Sequence, residues 1–313
     1  MLGRRNLRIK VMQELYAYKM DEAGSLGQLQ NHLESMVEKF VTLNLVNHAY
    51  LAAICAYADT DYQIKSARFI RDESRPVSNR LATNSVMEML VQSPGYQQGN
   101  KKYKIGHYVD DVVVKNIYQE LAKSAALTDY NRLEKITLVD DAKILVYLLE
   151  NIYSCSEEIA QQLEVHFPNF SDDNDYILNN IHKLFGQPAA LKADAFFPSE
   201  ESIKEEKDFA TQLLSRTFKN DEKLEVLIKP CVANWDIERI AIIDLIIIKM
   251  AACELKFFPT IPIKVTMNEY IDIAKYYSTP KSKDFVNGVM DKLKNRMTEE
   301  GEIQKTGRGL VDH

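Results

Sequence analysis

Apolar residues recur with the period of an α-helix along most of this chain, and this period restricts its fold more than any other feature. Within residues 281–296, Phe285, Val289 and Leu293 stand four positions apart and would share one face of a helix. Strand-like alternation is scarce, and prolines fall between the periodic segments rather than within them. We therefore predict an all-α fold, built as a helical bundle.

The same period predicts the individual helices. A first helix is expected over residues 6–19, a long helical region over 26–65, and two more helices over 109–124 and 142–152. Residues 75–108 are rich in Gly, Pro, Asn and Ser, so they are predicted to be irregular. Beyond residue 200 the pattern is cleaner. The stretch IAIIDLIIIKMAACEL is apolar on nearly every side, which is typical of a helix at the centre of a bundle.

Length, charge and hydropathy limit the classes of protein to which this chain can belong. The chain has 313 residues, enough for one large or two ordinary domains, and a linker-like stretch suggests a boundary near residues 190–200. A net charge of −6 argues against a protein that coats nucleic acid without specificity. The N-terminus lacks the apolar core of a signal peptide, and Asp244 and Lys249 interrupt the most apolar stretch. We expect a soluble, cytoplasmic protein that does not enter a membrane.

Sequence signatures of catalysis and metal binding are missing. The chain has no H-E-x-x-H, no G-x-x-x-x-G-K-[ST] and no G-x-S-x-G motif, and its histidines lack metal-ligand spacing. The cysteines are far apart and lie among apolar residues, so we expect buried, reduced thiols at all four: Cys55, Cys155, Cys231 and Cys253. The sequence thus predicts neither an enzyme nor a cofactor nor a metal site.

Two segments are basic although the chain as a whole is acidic. If they meet in space, they would form one phosphate-facing patch. Tyr16 and Phe285 lie beside basic residues and could stack on unpaired bases; the alternative is a solvated helix end and a core phenylalanine. The basic residues of the two segments are Arg4, Arg5, Arg8, Lys10, Lys19, Lys281, Lys283, Lys292, Lys294 and Arg296.

Asp244 stands out because it falls on a stripe that should be apolar. It lies four residues after Ile240 and seven after Ile237. A carboxylate in such a position needs a partner or must face an interface, because burying it alone is costly. The alternatives, pairing with an internal Lys or Arg or contacting another molecule, are equally open from the sequence.

Three stretches in order resemble the NusB transcription antitermination family. They are NWDIERIAIIDLIIIKMAACEL, IPIKVTMNEYIDIAKYY and SKDFVNGVMDKL, and the opening RRNLRIKVMQELYAY is similar to the first helix of that family. The resemblance covers residues 3–18 and 205–296. It implies a compact all-α bundle, with residues 1–19 as its first helix, 20–199 as a helical insertion, 200–296 as its C-terminal part and 297–313 as a flexible tail.

The resemblance also implies a function. Family members bind the boxA element of ribosomal-RNA leader transcripts together with a small-subunit ribosomal protein, NusE, and the complex joins RNA polymerase and suppresses termination. Self-association as a homodimer is a further expectation. Asp244 corresponds to an acidic position near the partner. The residues matching the RNA surface are Arg4, Arg5, Arg8, Tyr16, Lys281, Ser282, Lys283, Phe285 and Asn287.

Departures from the family pattern leave other hypotheses open. Asn6 interrupts the usual basic run, and the basic residue common just after the acid is missing after Asp244, so RNA affinity without the partner is expected to be weak. Gly288 is expected to allow close helix packing. One alternative function is a helical scaffold that has lost RNA binding. The other is a ribosomal-RNA cytosine methyltransferase, but the α/β domain that this enzyme needs has no counterpart in the sequence.

Overall fold

The structure, a computed structural model, divides by its internal contacts into two compact units. We call residues 2–37 and 201–313 the bundle unit, and residues 38–200 the middle unit. Within the described part of the chain there is no strand, and the predicted all-α fold is confirmed. The described residues are 3–21, 24–67, 78–192, 196–232, 240–279 and 282–310.

The helices are numbered here in chain order. They are α1 Arg4–Asp21, α2 Leu26–Ser66, α3 Ser85–Gln92, α4 Pro94–Tyr103, α5 Asp111–Lys123, α6 Ala125–Arg132, α7 Leu138–Leu148, α8 Glu157–Glu164, α9 Phe170–Phe185, α10 Glu200–Lys219, α11 Asp221–Ile228, α12 Ile242–Phe257, α13 Ile263–Tyr277 and α14 Ser282–Glu299. A single π-helical turn, Leu149–Tyr153, continues α7. The sequence predicted residues 20–199 as the insertion, whereas the contacts assign residues up to Val37 to the bundle unit.

The bundle unit is organised around α12. This helix packs against α1, α11, α13 and α14, and every residue from Ile246 to Leu255 is buried. Because apolar side chains surround the helix, it can bury all of its faces only by standing in the middle of other helices. Each fully buried Ile or Leu contributes about 1.5–3 kcal/mol. The prediction of a central helix in this stretch is confirmed.

The middle unit has its own core, in which α7 packs against α3, α6 and α9. Asp141 at the start of α7 is buried and holds three elements together. The Tyr130 hydroxyl donates to its carboxylate at 2.6 Å, and the Ser85 backbone N–H donates to it at 2.8 Å. The Asn84 side-chain amide donates to the Asp141 carbonyl at 3.1 Å. The buried carboxylate of Asp141 is thus paired, as burial requires.

The described part of residues 75–108 is not irregular, so this prediction was wrong. Asn84 caps α3, because its side chain accepts from the backbone N–H groups of Val86 and Met87. Pro94 occupies the first position of α4, where its missing N–H costs nothing. A Cβ on Gly99 would lie 2.7 Å from Leu45 Cδ1, so glycine permits close packing there. These residues begin helices and bring them together instead of breaking them.

Two further expectations concern the burial of the cysteines and the absence of a membrane span. Cys55, Cys231 and Cys253 are buried and reduced as expected, but Cys155 is exposed because it lies in the turn after the π-helical segment. One helix among the described residues, α2, is long and apolar enough to cross a membrane. Since 72% of its most apolar window is buried inside the protein, this is the pattern of a core helix and only weak evidence for a membrane span.

Candidate nucleic-acid interface

The first turn of α1 carries two of the predicted RNA-binding arginines. Leu7, Val11 and Leu15 bury one face of this helix against the bundle, which leaves the outer face of its start to charged residues. Arg4 is exposed, and its guanidinium lies 5.2 Å from the centroid of the Phe209 ring. A cation over an aromatic face is held in place while it stays accessible to solvent.

Arg5 is held by the carboxylates of α13. Its guanidinium donates to Glu269 at 3.0 and 2.9 Å and lies 2.8 Å from an Asp272 oxygen. The hydrogen bond with Glu269 is the main reason why the pKa of Arg5 is raised above its usual value. Its side chain remains 40% exposed. Arg5 is therefore a fixed cation with one open side, and a phosphate that binds it must compete with two carboxylates.

Arg8 occupies a different environment. Its side chain is 1% exposed, and it donates two hydrogen bonds, at 2.8 and 2.7 Å, to Glu254, which is completely buried. Burial alone would lower the pKa of Arg8, but the hydrogen bonds and charge of Glu254 raise it above its usual value. Thr266 and Tyr270 also donate to this carboxylate, at 2.7 and 3.2 Å. This buried network fastens α1 to α12 and α13.

Asp244 connects the start of α12 to the end of α13. It is 3% exposed, and the Ser278 hydroxyl donates a hydrogen bond to its carboxylate. Among the described residues, no basic side chain forms an ion pair with it. The nearby basic residue of α12, Lys249, instead binds Asp221 at 2.8 Å and Glu225 at 3.0 Å. Contact between Asp244 and a partner protein stays a prediction.

The start of α14 carries the second group of predicted residues. Ser282 is buried and lies 2.8 Å from the Thr279 hydroxyl, whereas Lys283 and Asn287 are exposed and Phe285 is half-buried. Asn287 lines an open groove of about 630 Å³ between α13 and α14. The prediction for Lys281 falls outside the described residues.

Gly288 does not serve close packing, so that expectation was wrong. A Cβ built on this residue meets no atom within 4 Å, and the residue is exposed on the outer side of α14. The adjacent Val289 and Met290 are the residues that face the core. The Asn-Gly pair in this helix therefore has no packing function.

The direction of α13 relates the arginines of α1 to the predicted residues at the start of α14. Thr266 on α13 contacts Glu254 near the end of α12, whereas Ser278 contacts Asp244 near its start, so the two helices are antiparallel. Between Asp272, which binds Arg5, and Ser278 the chain advances about 9 Å at 1.5 Å per residue. Along α13, the carboxylate that binds Arg5 thus lies about 9 Å from the residue that ends the helix, four residues before α14 begins.

Two residues of α13 that the sequence analysis missed lie on this path. Tyr276 is 73% exposed, and the Lys275 ammonium lies 5.7 Å from its ring centroid. Since Tyr276 follows Asp272 by four residues, it lies on the same helix face as the Arg5 site. Tyr16, in the second half of α1, is 39% exposed. The signal available in the sequence was the pair of adjacent tyrosines in AKYY, which lie outside the buried set of α13 residues, namely Thr266, Met267, Tyr270, Ile273 and Ala274.

The sequence is similar to the model of one protein family and to several known proteins. The model of the NusB family matches residues 177–295. The chain is 45% identical over 105 residues to the transcription antitermination protein NusB of Salinibacter ruber, and this covers 34% of the chain and 66% of that protein. It is 40% identical over 106 residues to the protein of the same name from Chloroherpeton thalassium, covering 34% of the chain and 50% of that protein.

A third relative is matched over more of its length. The NusB protein of Syntrophus aciditrophicus is 34% identical over 112 residues, which cover 36% of the chain and 70% of that protein. The chain spans less than two thirds of the first two relatives, and no solved structure matches it. The matched region contains most of α14 and all of α12 and α13, the two helices that carry the carboxylates paired with Arg5 and Arg8. From this shared region we conclude that the chain belongs to the NusB family.

Proposed function

We propose that this protein is an RNA-binding transcription antitermination factor. Its ligand would be boxA-type single-stranded RNA of ribosomal-RNA leader transcripts, bound together with the small-subunit ribosomal protein NusE within an RNA polymerase complex in the cytoplasm. The observation that carries the proposal is an exposed stripe on α13, formed by Asp272 and Tyr276. Asp272 binds Arg5, and Tyr276 lies one helical turn further along the chain, towards α14. Its action is recognition and not catalysis.

The stripe, together with the residues at the starts of α1 and α14, offers the two kinds of contact that single-stranded RNA needs. Arg4, Arg5 and Lys283 would bind phosphates, which position the strand without reading its sequence. Tyr276 and Phe285 would stack on unpaired bases, and base stacking contributes about 1–3 kcal/mol per base. Asn287 would bind a base edge or a phosphate, and the segment of Ser282 and Lys281 would complete the surface. Tyr16 would contact the RNA from the second half of α1.

Arg8 is proposed to act on the RNA surface indirectly. With its side chain buried against Glu254, it sets the position of the first turn of α1 and thereby of Arg4 and Arg5. The ion pairs of Arg5 also predict a low affinity for RNA alone, since phosphate competes with Glu269 and Asp272. A partner protein that adds contacts would offset this cost, and Asp244 at the start of α12 is the proposed residue on the partner side.

A second candidate function is a helical protein scaffold that has lost RNA binding. The observation in its favour is the middle unit, whose residues 38–200 form a core of their own. The engagement of Arg5 and Arg8 by carboxylates is also compatible with it. The scaffold predicts that boxA-type RNA does not bind even when NusE is present.

Fluorescence anisotropy of a labelled boxA-type RNA distinguishes the two functions. The full chain would be titrated with and without NusE at two salt concentrations. Substituting Arg4 and Arg5 by Ala is expected to weaken binding and to flatten the logarithmic salt slope by about 1.4, at about 0.7 per phosphate contact. The matched control is Lys223→Ala, which removes an exposed charge from α11, outside the stripe. Equal effects of both changes, or no binding at all, would refute the proposal.

A further inference from the structure

The chain returns to the bundle unit after α14. We call residues 300–310 the C-terminal segment, and a 3₁₀ turn, Gly307–Leu310, forms its last part. The Thr306 backbone N–H donates to the Pro259 carbonyl at 2.9 Å. The sequence analysis expected a flexible tail from residue 297, but this segment contacts the loop that joins α12 to α13. The segment therefore has a defined place on the bundle.

Gly309 lets the segment approach this loop closely. The residue is buried, and a Cβ built on it would lie 3.0 Å from the Pro259 carbonyl carbon and nearer still to the carbonyl oxygen. A side chain at this position would push the segment away from the backbone of the loop. Lys256, near the end of α12, forms an ion pair with Glu302 and provides a second attachment. Shape and charge together thus fix the docked position.

Lys305 attaches the segment to the end of α12. Its ammonium donates to the Phe258 carbonyl at 3.0 Å and to the Glu254 carbonyl at 3.4 Å. Carbonyls at the end of a helix attract a cation, because the helix dipole is negative there. The Lys305 side chain is half-buried, which strengthens these hydrogen bonds relative to those at an open surface. Lys305 therefore restrains the backbone of Phe258.

Phe258 connects this contact to the arginines of α1. Its ring and that of Phe209 on α10 are both buried, and they meet edge to face with their centroids 5.5 Å apart. The guanidinium groups of Arg4 and Arg8 each lie 5.2 Å from the centroid of the Phe209 ring. Two packed rings thus link the carbonyl bound by the C-terminal segment to the first turns of α1.

Arg4 depends on this link more than the other arginines of α1. Arg8 is held by Glu254, and Arg5 is held by two carboxylates of α13. Among the described residues, no carboxylate forms an ion pair with Arg4, so the face of Phe209 is the contact that orders its exposed side chain. A shift of Phe209 would release Arg4 and leave Arg5 and Arg8 in place.

We propose that the C-terminal segment positions Arg4 for contact with an RNA phosphate, with Lys305 and Phe209 as the positioning residues. This inference rests on the proposed RNA-binding function. Lys305 restrains Phe258, the ring of Phe258 restrains Phe209, and Phe209 presents the guanidinium of Arg4 at the surface. Without the segment, Arg4 would sample many rotamers, and ordering one of them on RNA would weaken binding.

The ring current of Phe209 gives a readout of Arg4 that needs no RNA. In the full chain labelled with ¹³C at arginine, the side-chain protons of Arg4 should resonate upfield of their random-coil positions, and Phe209→Leu should abolish that shift. Lys305→Ala should move the same signals towards random coil. Its matched control is Arg308→Ala, which removes one positive charge from an exposed position in the same segment.

Gly309→Ala displaces the segment without changing its charge, so it should act on the Arg4 signals as Lys305→Ala does. Arg4 signals that are unchanged in both variants would overturn the inference. Equal changes in Lys305→Ala and Arg308→Ala would also overturn it, because the effect would then come from charge alone.

Fluorescence anisotropy with boxA-type RNA and NusE tests the consequence for binding. Lys305→Ala should weaken binding about two- to fivefold, the range expected when one exposed cation–π contact is lost. The logarithmic salt slope should flatten by up to about 0.7, the value of one phosphate contact. In an Arg4→Ala background, Lys305→Ala should have no further effect, whereas fully additive losses would contradict positioning through Arg4.

The two proposals fail in different ways. If no variant and not even the unsubstituted protein binds RNA, while Lys305→Ala still alters the Arg4 signals, the proposed function fails and the positioning of Arg4 stands. If RNA binds but Lys305→Ala behaves as Arg308→Ala in both measurements, the proposed function stands and the C-terminal segment does not position Arg4.

Discussion

Removal of the Arg8 guanidinium should destabilise the bundle unit more than any change at the neighbouring Arg5. Arg8 and Glu254 have side-chain exposures of 1% and 0%, so solvent screens neither charge. Breaking a buried pair by removing one partner costs about 3–5 kcal/mol, because the remaining charge stays buried without compensation. For Arg8→Met we expect the lower half of this range, since Thr266 and Tyr270 still donate to Glu254.

Arg5 is the internal comparison. It contacts two carboxylates, those of Glu269 and Asp272, yet its side chain is 40% exposed. Exposed ion pairs contribute about 0–1 kcal/mol, so Arg5→Ala should cost less than 1 kcal/mol. The double substitution Arg8→Met with Glu254→Gln should be more stable than Arg8→Met alone, because the amide oxygen still accepts from one of the hydroxyls of Thr266 and Tyr270, the amide nitrogen can donate to the other, and no charge stays buried.

Urea unfolding measures these differences in the free energy of unfolding. Because the chain has two units, hydrogen exchange of peptides from α1 and α13 should accompany it and assign each change to the bundle unit. If the free energy of unfolding of Arg8→Met lies within about 1 kcal/mol of that of the unsubstituted protein, the buried pair does not contribute the stability expected of it. If the double variant is as unstable as the single one, an unpaired Glu254 is not the cause.

Three further substitutions test the pH dependence of stability that His48 causes and the space around two glycines. Burial lowers the pKa of His48 to about 4 in the folded protein from an ordinary value of 6.5, so the unfolded chain binds more protons between these values. Stability should therefore fall by up to roughly 3 kcal/mol as pH drops from 6.5 to 4, and His48→Gln should remove this part of the pH dependence in urea unfolding. Gly288→Ala should stabilise by about 0.5–1 kcal/mol because the new methyl group meets open space in a helix, whereas Gly99→Ala should destabilise by about 1 kcal/mol through its clash with Leu45, both in thermal unfolding.

The sequence predicted the architecture where periodicity is strong and failed where tertiary contacts decide. The stretch around Ile246–Leu255 is apolar on all sides, and only a central position satisfies that pattern. The helices α3 and α4 were missed because Gly and Pro also occur at helix starts and close contacts, and the sequence does not show that Leu45 is the neighbour of Gly99. Local composition does not distinguish a glycine or proline that begins a helix or permits a close contact from one that breaks a helix.

The candidate site was predictable as a set of residues but not as an arrangement. Arg5 and Arg8 look equivalent in the sequence, and only the positions of Glu269 and Glu254 on other helices make one half-exposed and the other buried. Tyr276 was overlooked because helical spacing does not show which of two adjacent tyrosines faces solvent. Each distinction depends on contacts between helices distant in sequence.

Ultraviolet cross-linking of the protein to boxA-type RNA in the presence of NusE, followed by mass spectrometry, tests the central claim most directly. We expect cross-links at the aromatic residues of the proposed surface in the bundle unit, with a higher yield at Tyr276 and Phe285 than at Tyr16. These cross-links should be lost when Arg4 and Arg5 are substituted. Cross-links confined to residues 38–200, or none under conditions in which RNA and NusE are both bound, would contradict an RNA surface on α13 and α14.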